Sequence, residues 1–343
     1  MTMTIRDVAR RAGVSVATVS RALNRSGPVR EETRRRVEAA VRALRYRPNS
    51  TARSLITRRT RMLGVLLPDL YGEFFSELIR GLDEAAQAGG YHLLVSSSHD
   101  NASDLEAALH GMHGRVDGLV VMAPKVKAEV LEDLLPGNVP VVLLNSPAGE
   151  RPRDSLRIDG FGGARAVASH LAAHGHARIG IINGPAENFD AQERLRGYRA
   201  GLAEAGLAPD EALEVAGDFT GSGGYAGATA LLALARRPTA VFAANDAMAV
   251  GALSALRAAG LAVPEEMALA GFDDVSSAQY MIPPLTTVRG RIWDLGARSV
   301  ARLAEAMAAG AAREQQPELL PATLMARRSC GCAPGVREAG ERG

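Results

Sequence analysis

The sequence contains few of the residues that mark secreted, disulfide-stabilised or membrane proteins. Its 343 residues include 2 cysteines, 1 tryptophan and 4% aromatic residues. Two cysteines cannot supply the disulfide framework of a small secreted domain. No run approaches the ~18–20 apolar residues of a membrane span, and no apolar leader follows Met1. We therefore expect a cytoplasmic protein that does not bind a membrane.

Catalytic signatures are missing as well. The sequence contains no G-x-S-x-G, P-loop or H-E-x-x-H pattern. The glycine-rich segment 221–227 departs from the phosphate-binding pattern G-x-G-x-x-G, because Ala226 stands at the third glycine position. We interpret this segment as the entry to a helix. Neither enzymatic activity nor a cofactor is expected.

Lysine is scarce, and the arginines that replace it are concentrated at one end of the chain. Residues 1–61 contain 16 arginines and 4 acidic residues, a formal charge of +12. The other 282 residues carry 24 basic and 34 acidic groups, or −10. A general preference for arginine would explain the choice of base but not its concentration. A basic head on an acidic body indicates a polyanion-binding module joined to a different domain.

The basic head has the pattern of three short helices. Thr4 and Asp7 have the spacing of a capping box, and Gly13 is placed to end the first helix. Ser15 can cap a second helix, and a third amphipathic helix is predicted over about 31–45. Two helices joined by a glycine-containing turn form a helix-turn-helix. Any small helical bundle could share this spacing, but the charge favours DNA binding.

The acidic body alternates apolar runs with amphipathic helices. We interpret the runs as buried parallel strands at 63–67, 92–95, 118–121, 139–144, 179–182, 240–243 and 267–271. Two serial sets of such units predict two doubly wound parallel-sheet subdomains. Open parallel sheets bind ligands beyond the carboxyl ends of their strands, so a pocket is expected in the cleft formed by the loops there.

Several linked motifs of this chain resemble the lactose/purine-repressor family of transcription regulators. They are Thr4-Ile5-Arg6-Asp7-Val8-Ala9, Ala12 to Arg21 (AGVSVATVSR), Glu31-Glu32-Thr33-Arg34 and Tyr46-Arg47-Pro48-Asn49. The resemblance extends to about residue 329. It implies an all-α helix-turn-helix head plus hinge, followed by an α/β body like that of periplasmic binding proteins, in which the chain crosses between lobes three times.

These considerations divide the chain into four parts. We expect a DNA-binding domain at 1–47, a hinge helix and linker at 48–60, an effector-binding and dimerisation domain at 61–329, and a polar tail at 330–343. Within the body, the N-subdomain is expected at about 61–160 and 290–320. The C-subdomain is expected at about 161–289 and 321–329.

The resemblance implies that the second helix lies in the major groove of DNA. Position then assigns base contacts to Val16, Ala17 and Arg21, with the arginine suited to guanine and the apolar pair to thymine methyl groups. Contacts to the DNA backbone are expected from six other residues, although Thr18 could instead pack within the head. These six are Thr4, Ser15, Thr18, Ser20, Asn24 and Arg25.

The segment after the third helix is too short to be a stable helix alone. Pro48 prevents that helix from continuing, and two turns could follow Asn49. The resemblance implies a hinge that folds against the minor groove through Asn49, Ala52, Arg53 and Leu55, with Leu55 wedged into a base step. A plain interdomain linker is the alternative.

Loops after the predicted strands carry the candidate effector-binding residues. They are Asp69, Phe74, Phe75, Asn188, Asp190, Arg194, Phe219, Asn245 and Asp273. Aromatic faces with Arg, Asp and Asn side chains suit a sugar or polyol. Helix capping by Asn245 or Asp273 and core packing of Phe219 are the structural alternatives. The family's purine binders use a second cation near Asn188, which this sequence lacks there, but a purine corepressor stays open.

Three histidines and two cysteines could suggest a metal site. His170 and His174 flank a predicted helix end, and we expect a structural role because the sequence places no thiol or carboxylate beside them. Cys330 and Cys332 lie in the tail, and two ligands alone do not form a zinc site. No metal is therefore expected.

The combined interpretation is an effector-responsive transcription regulator of the repressor type. The tail lacks the leucine heptads of a tetramerising coiled coil, so a homodimer formed through the body on a pseudo-palindromic operator is expected. The alternatives are a solute-binding protein, which would need a leader and no basic head, and a nonspecific architectural DNA protein, which would need no effector.

Overall fold

The computed structural model describes residues 3–24, 27–46, 59–147, 149–150, 153–309 and 317–332. The chain divides into two compact units, Met1–Thr60 and Arg61–Gly343. Arg25 and the predicted hinge residues Asn49, Ala52, Arg53 and Leu55 lie outside the described residues.

The first unit contains three helices around a small apolar core. They are α1 (Ile5–Ala12), α2 (Val16–Asn24) and α3 (Glu31–Leu44). Val8, Val19 and Val37, one from each helix, have 0% exposed surface. Because each valine lies on the apolar face of its helix, their burial fixes which faces remain in solvent.

The turns between these helices follow the predicted capping pattern. The Asp7 carboxylate accepts hydrogen bonds from the N–H and hydroxyl groups of Thr4 at 3.0 and 2.7 Å. Gly13 ends α1 with φ 64°, a left-handed conformation that favours glycine. Ser15 Oγ then accepts from the Thr18 N–H at 3.2 Å, which caps α2.

The second unit contains twelve strands among its described residues. They are β1 (Met62–Leu67), β2 (His92–Ser97), β3 (Gly118–Met122), β4 (Val141–Leu144), β5 (Asp154–Ile158), β6 (Ile179–Asn183), β7 (Glu214–Ala216), β8 (Ala240–Ala243), β9 (Ala268–Ala270), β10 (Thr287–Arg289), β11 (Pro317–Leu320) and β12 (Thr323–Met325). One parallel sheet has the order β11-β5-β4-β3-β1-β2, and the other has the order β7-β6-β8-β9. β10 and β12 form an antiparallel pair.

Helices cover the two parallel sheets. They are α4 (Glu73–Ala88), α5 (Ala102–Met112), α6 (Ala128–Leu134), α7 (Gly160–Ala173), α8 (Phe189–Glu204), α9 (Gly221–Leu232), α10 (Asp246–Ala258) and α11 (Ile292–Ala309), with 3-10 turns at Glu211–Leu213, Ser276–Tyr280 and Arg328–Cys330. None of the helices described has both the length and the apolar composition needed to cross a bilayer.

The chain passes between the two sheets three times. It leaves the six-stranded sheet after β5, returns through α11 to β11, and crosses back before β12. The last crossing ends where Ser329 Oγ donates to the Leu269 carbonyl of β9 at 2.6 Å. Cys330, the next residue, is 2% exposed, so the packed body continues past residue 329. Two doubly wound sheets with three crossings are the fold that the sequence predicts.

Glycines allow α9 and α10 to pack closely at the glycine-rich segment. A Cβ atom at Gly251 would overlap the Gly221 carbonyl oxygen, and one at Gly224 would overlap the Met248 carbonyl. Residues 221–227 therefore form the first turns of α9, as the sequence predicts, and their glycines allow close packing against α10.

This contact yields a prediction with a matched control. Gly251→Ala is expected to destabilise the protein by about 1–3 kcal/mol, because the backbone of α9 must move to admit a methyl group. Gly111→Ala, at an exposed helical position with open space around it, is expected to stabilise it by about 0.5–1 kcal/mol. Denaturant unfolding of both variants measures the two signs, and equal effects would contradict the packing role of Gly251.

Candidate functional site

A cavity of about 270 Å³ lies beyond the carboxyl ends of strands from both parallel sheets. All nine predicted effector residues line it: Asp69, Phe74, Phe75, Asn188, Asp190, Arg194, Phe219, Asn245 and Asp273. They come from loops or helix starts that follow β1, β6, β7, β8 and β9. The structure thus brings together side chains spread over more than two hundred residues of sequence.

Arg194 is the buried centre of this cavity. Its side chain, on α8, is 5% exposed, and its Nη2 lies 3.3 Å from Asp273 Oδ1. Its Nη1 donates to the Ala244 carbonyl, and its guanidinium carbon lies 3.9 Å from the centre of the Phe272 ring. Its Nε is buried and has no hydrogen-bond partner among the described residues. Arg194 is therefore held by three contacts within the protein.

Three buried carboxyl groups line the same cavity as this arginine. Burial raises the pKa of Asp190 to about 6 and that of Asp273 to about 7, although Arg194 lowers both. Burial and the neighbouring Asp273 raise the pKa of Asp246 well above its ordinary value. Buried carboxyl groups are costly unless they are hydrogen-bonded or neutralised.

The loop after β1 also connects the two sides of the cavity. Gly72, at φ 99°, precedes α4, and the rings of Phe74 and Phe75 meet edge to face with centres 5.3 Å apart. Glu73 Oε2 accepts from Ser276 Oγ at 2.7 Å and from the Ser277 N–H at 3.1 Å. Burial raises the pKa of Glu73, but hydrogen bonds from Ser277 and Ser276 outweigh burial and hold this pKa below its ordinary value. The sequence did not predict this bridge.

Helix capping by Asn245 and core packing of Phe219 do not exclude these residues from the cavity. Asn188 and Asn245 cap α8 and α10 by accepting from backbone N–H groups at 3.1 and 2.9 Å. Asn245 also donates to the Phe219 carbonyl at 3.0 Å. Phe219 is half-buried, and it both packs on the core and lines the cavity. Asp273 pairs with Arg194 rather than capping a helix.

A second cation, Lys125, lines the same cavity as Asn188, although none was expected near Asn188 from the sequence. The Phe189 N–H donates to the Pro124 carbonyl at 2.9 Å, so the next residue, Lys125, reaches the same cavity. Lys125 Nζ lies 3.0 Å from Asp100 Oδ2. Lys125 follows β3 and Asp100 follows β2, so the rule that selected the other residues could have found both.

The predicted base-contact residues share one face of α2. Val16, Ala17 and Arg21 are exposed, and Arg21 Nε donates to the Ala17 carbonyl at 3.3 Å. Val19 and Ala22, on the opposite face, are buried in the head. The exposed face is therefore available to a partner, while the packing of the helix fixes its orientation.

The predicted backbone contacts vary in exposure. Thr4 and Ser15 are exposed, whereas Thr18 and Ser20 are half-buried. Ser15 Oγ and Thr18 Oγ1 lie 2.9 Å apart, so both hydroxyls already take part in the helix cap. Asn24 is the last residue of α2. Contact with DNA phosphates remains a prediction for these residues.

The expectation that no thiol lies beside the histidines is wrong. Cys330 Sγ lies 3.3 Å from His170 Nε2, and Cys332 Sγ lies 3.3 Å from His174 Nε2. The third crossing of the chain brings the two cysteines onto the end of α7, a contact that spacing in sequence does not reveal. Burial raises the pKa of Cys330, but hydrogen bonds from His170 and Thr286 outweigh it and lower the pKa to about 6.

A helix-turn-helix head with an exposed arginine, joined to a two-sheet body with a polar cleft, defines the class of ligand-responsive DNA-binding regulators. Comparison with known families supports both halves. Residues 4–49 match the model of bacterial regulatory proteins of the lacI family, and residues 168–330 match a periplasmic binding protein-like domain.

Similarity to characterised relatives covers nearly the whole chain. The chain is 36% identical over 330 residues to the ribose operon repressor of Escherichia coli (strain K12), covering 95% of this chain and 99% of the relative. It is 35% identical over 336 residues to the transcriptional repressor PurR of Edwardsiella ictaluri (strain 93-146), covering 97% and 98%. The chain therefore belongs to the lacI family of transcription regulators. This membership confirms the prediction of a transcription regulator rather than an enzyme.

A solved structure shares the same fold. The lac repressor dimer bound to operator and the anti-inducer ONPF matches with a TM-score of 0.88 at 30% identity, covering 96% of this chain and 99% of that chain. The predicted combination of head and body is thus confirmed by a structure as well as by sequence.

Burial of Asp273 predicts a pH dependence. The folded protein keeps a proton on Asp273 up to about pH 7, whereas the unfolded chain loses it near the ordinary pKa of 3.8. The contribution of this group to the free energy of unfolding therefore falls as pH rises between these values. Asp273→Asn removes this contribution. The thermal unfolding midpoint of the variant minus that of the wild type is therefore expected to increase as the pH is raised from 5 to 7.5.

The matched control is Asp133→Asn, whose side chain is exposed on α6. Its unfolding midpoint is expected to run parallel to that of the wild type across the same range. A parallel course for Asp273→Asn as well would contradict the proposed proton uptake.

Proposed function

We propose that this regulator is a homodimeric repressor whose affinity for a pseudo-palindromic operator is controlled by a sugar or polyol in the cleft. The observation that carries the proposal is one cavity lined by all nine predicted residues, in which the buried Arg194 lies near the buried carboxyl groups of Asp190 and Asp273. A DNA-bound regulator of this kind acts in the cytoplasm.

The chemistry of the cavity favours a polyhydroxylated ligand. Asp190 and Asp273 offer carboxyl oxygens to hydroxyl groups, and the guanidinium of Arg194 is held in a fixed position beside Asp273. Phe74, Phe75 and Phe219 supply apolar faces for the C–H side of a ring. The ribose operon repressor among the relatives supports a sugar of this type.

A purine is the second candidate. Lys125 supplies a second cation in the cavity, and PurR is among the relatives. Lys125 is neutralised by Asp100 at 3.0 Å, however, and the excess of buried carboxyl groups suits hydroxyl donors better than ring acceptors. The two candidates differ in the sign of regulation, since a purine corepressor would strengthen operator binding.

The proposed mechanism couples the cleft to the operator. A ligand bound by residues of both lobes favours the closed cleft, as Glu73 already does through Ser276 and Ser277. Closure shifts the N-terminal lobes of the dimer and prevents the two hinge segments from pairing in the minor groove. Affinity for the operator then falls.

A ligand screen with one charge-removing variant tests the cleft. Saturating ligand at about 100 times its Kd raises the free energy of unfolding by about 2.7 kcal/mol, and ribose, other sugars, polyols and purines form the panel. Asp190→Asn exchanges an acceptor for a donor while removing a buried charge, so the fold is expected to persist and the affinity for the hit to fall about 10-fold or more. Thermal unfolding detects the stabilisation by ligand, and calorimetric titration measures the affinity of the wild type and of the variant.

Glu193→Gln is the matched control, because it lies on the same helix and its carboxylate pairs with Arg196 outside the cavity. Its affinity is expected to equal that of the wild type. Loss of binding in both variants would show a general effect on α8. Operator binding measured with the hit at saturation is expected to weaken, and strengthening would replace the inducer mechanism by the corepressor one.

Base recognition by Arg21 is tested on two DNAs of equal length, one selected by the wild-type protein from a random library and one of random sequence. Arg21→Ala is expected to weaken binding to the selected site by about 1–3 kcal/mol, with little effect on the random DNA. Arg35→Ala, a matched loss of an exposed arginine on α3, is expected to affect both DNAs alike through charge. If Arg21→Ala weakened binding to the two DNAs equally, Arg21 would be assigned to a phosphate contact. Fluorescence anisotropy provides the affinities.

A further inference from the structure

The end of α7 and the last described residues of the chain form a cluster of two thiols and two imidazoles. Cys330 Sγ and Cys332 Sγ lie 3.1 Å apart, and His170 Nε2 lies 3.3 and 3.5 Å from them. His174 Nε2 lies 3.3 Å from Cys332 Sγ. The potential ligand atoms of His170, Cys330 and Cys332 all lie within 4.8 Å of one another.

From this geometry we propose that His170, His174, Cys330 and Cys332 form a binding site for a zinc ion. Bond lengths of about 2.0–2.3 Å in a tetrahedral arrangement place neighbouring ligand atoms about 3.3–3.8 Å apart. The separations among His170 Nε2, Cys330 Sγ and Cys332 Sγ, 3.1–3.5 Å, are close to that range, and His174 Nε2 joins the group through Cys332 Sγ at 3.3 Å. Two thiolates and two imidazoles are a ligand set that zinc prefers, whereas magnesium and calcium prefer oxygen.

The two histidines are presented by their helix in a suitable form. His170 and His174 are four residues apart, so they lie on one face at the C-terminal end of α7. His174 Nδ1 lies 2.8 Å from the His170 carbonyl oxygen, which can only accept a hydrogen bond. Nδ1 therefore carries the proton, and Nε2, which faces Cys332, has its lone pair available for a metal.

The two cysteines are held by the last crossing of the chain. Gly331 has φ 88°, and this left-handed turn allows Cys330 and Cys332 to point to the same side. Thr286 anchors the segment: its N–H donates to Ser329 Oγ at 2.7 Å, and its hydroxyl lies 3.0 Å from Cys330 Sγ. The thiols are thus positioned by backbone and side-chain contacts that do not require a metal.

A metal at this site would fasten the C-terminal segment to α7. The segment arrives from β11 in the six-stranded sheet, whereas Ser329 is bonded to β9 in the four-stranded sheet. Zinc would therefore act as a structural cross-link next to a crossing between lobes. This inference does not depend on the proposed effector or operator.

Metal binding is tested on the full-length, tag-free protein in reducing buffer, with Zn²⁺ or Co²⁺ as the probe. The wild type is expected to retain one zinc per chain after gel filtration and to unfold at a higher temperature with zinc. Its cobalt form is expected to show the visible bands of tetrahedral cobalt and a thiolate charge-transfer band. Cys332→Ser and His174→Gln, at the more exposed ligands, are expected to lower the affinity about 100-fold or more.

His176→Gln is the matched control, because His176 lies near the same helix end but its Nδ1 contacts Thr239 Oγ1 at 3.0 Å. It is expected to bind zinc and cobalt like the wild type, and circular dichroism confirms that each variant is folded. Zinc retained equally by Cys332→Ser, a cobalt spectrum without the thiolate band, or no binding by the reduced wild type would overturn the proposal.

Discussion

The buried guanidinium of Arg194 is the constraint around which the body is arranged. An arginine that is 4% exposed must be neutralised and hydrogen-bonded. The carboxyl group of Asp273, the Ala244 carbonyl and the Phe272 ring, from the ends of β8 and β9, supply part of this environment. Since these groups come from different loops, Arg194 fixes the loops relative to one another. The cavity is the space left around it, and its shape depends on the arginine.

The long apolar strands and the cleft residues could be predicted from sequence, because both follow local rules. A buried parallel strand is a run of apolar residues, and its carboxyl end identifies the next loop as a ligand site. Five strands were missed for a physical reason. β5 reads Asp-Ser-Leu-Arg-Ile and contains a buried carboxylate, Asp154, that lies 3.6 Å from Arg302. The other four are short segments that contain polar residues or proline rather than a continuous apolar run.

Contacts between distant segments account for the other omissions. The thiols of Cys330 and Cys332 reach His170 and His174 across about 160 residues of sequence. Lys125 and Asn188 line the same cavity, and a backbone hydrogen bond joins the neighbouring residues Pro124 and Phe189. Nothing in the local pattern of either segment encodes such a meeting. It results from the crossings of the chain and from the order of strands in each sheet.

The bridge formed by Glu73 bears on the energetics of opening. Its carboxylate takes its donors from Ser276 and Ser277, which belong to the opposite lobe. Separation of the lobes exchanges these hydrogen bonds for bonds to water, and a hydrogen bond to a charged group contributes about 1.5–3 kcal/mol. Because Glu73 is exposed, solvent screens its charge and reduces this contribution. An interaction of this size can be offset by the difference in affinity of one ligand for two arrangements of the lobes.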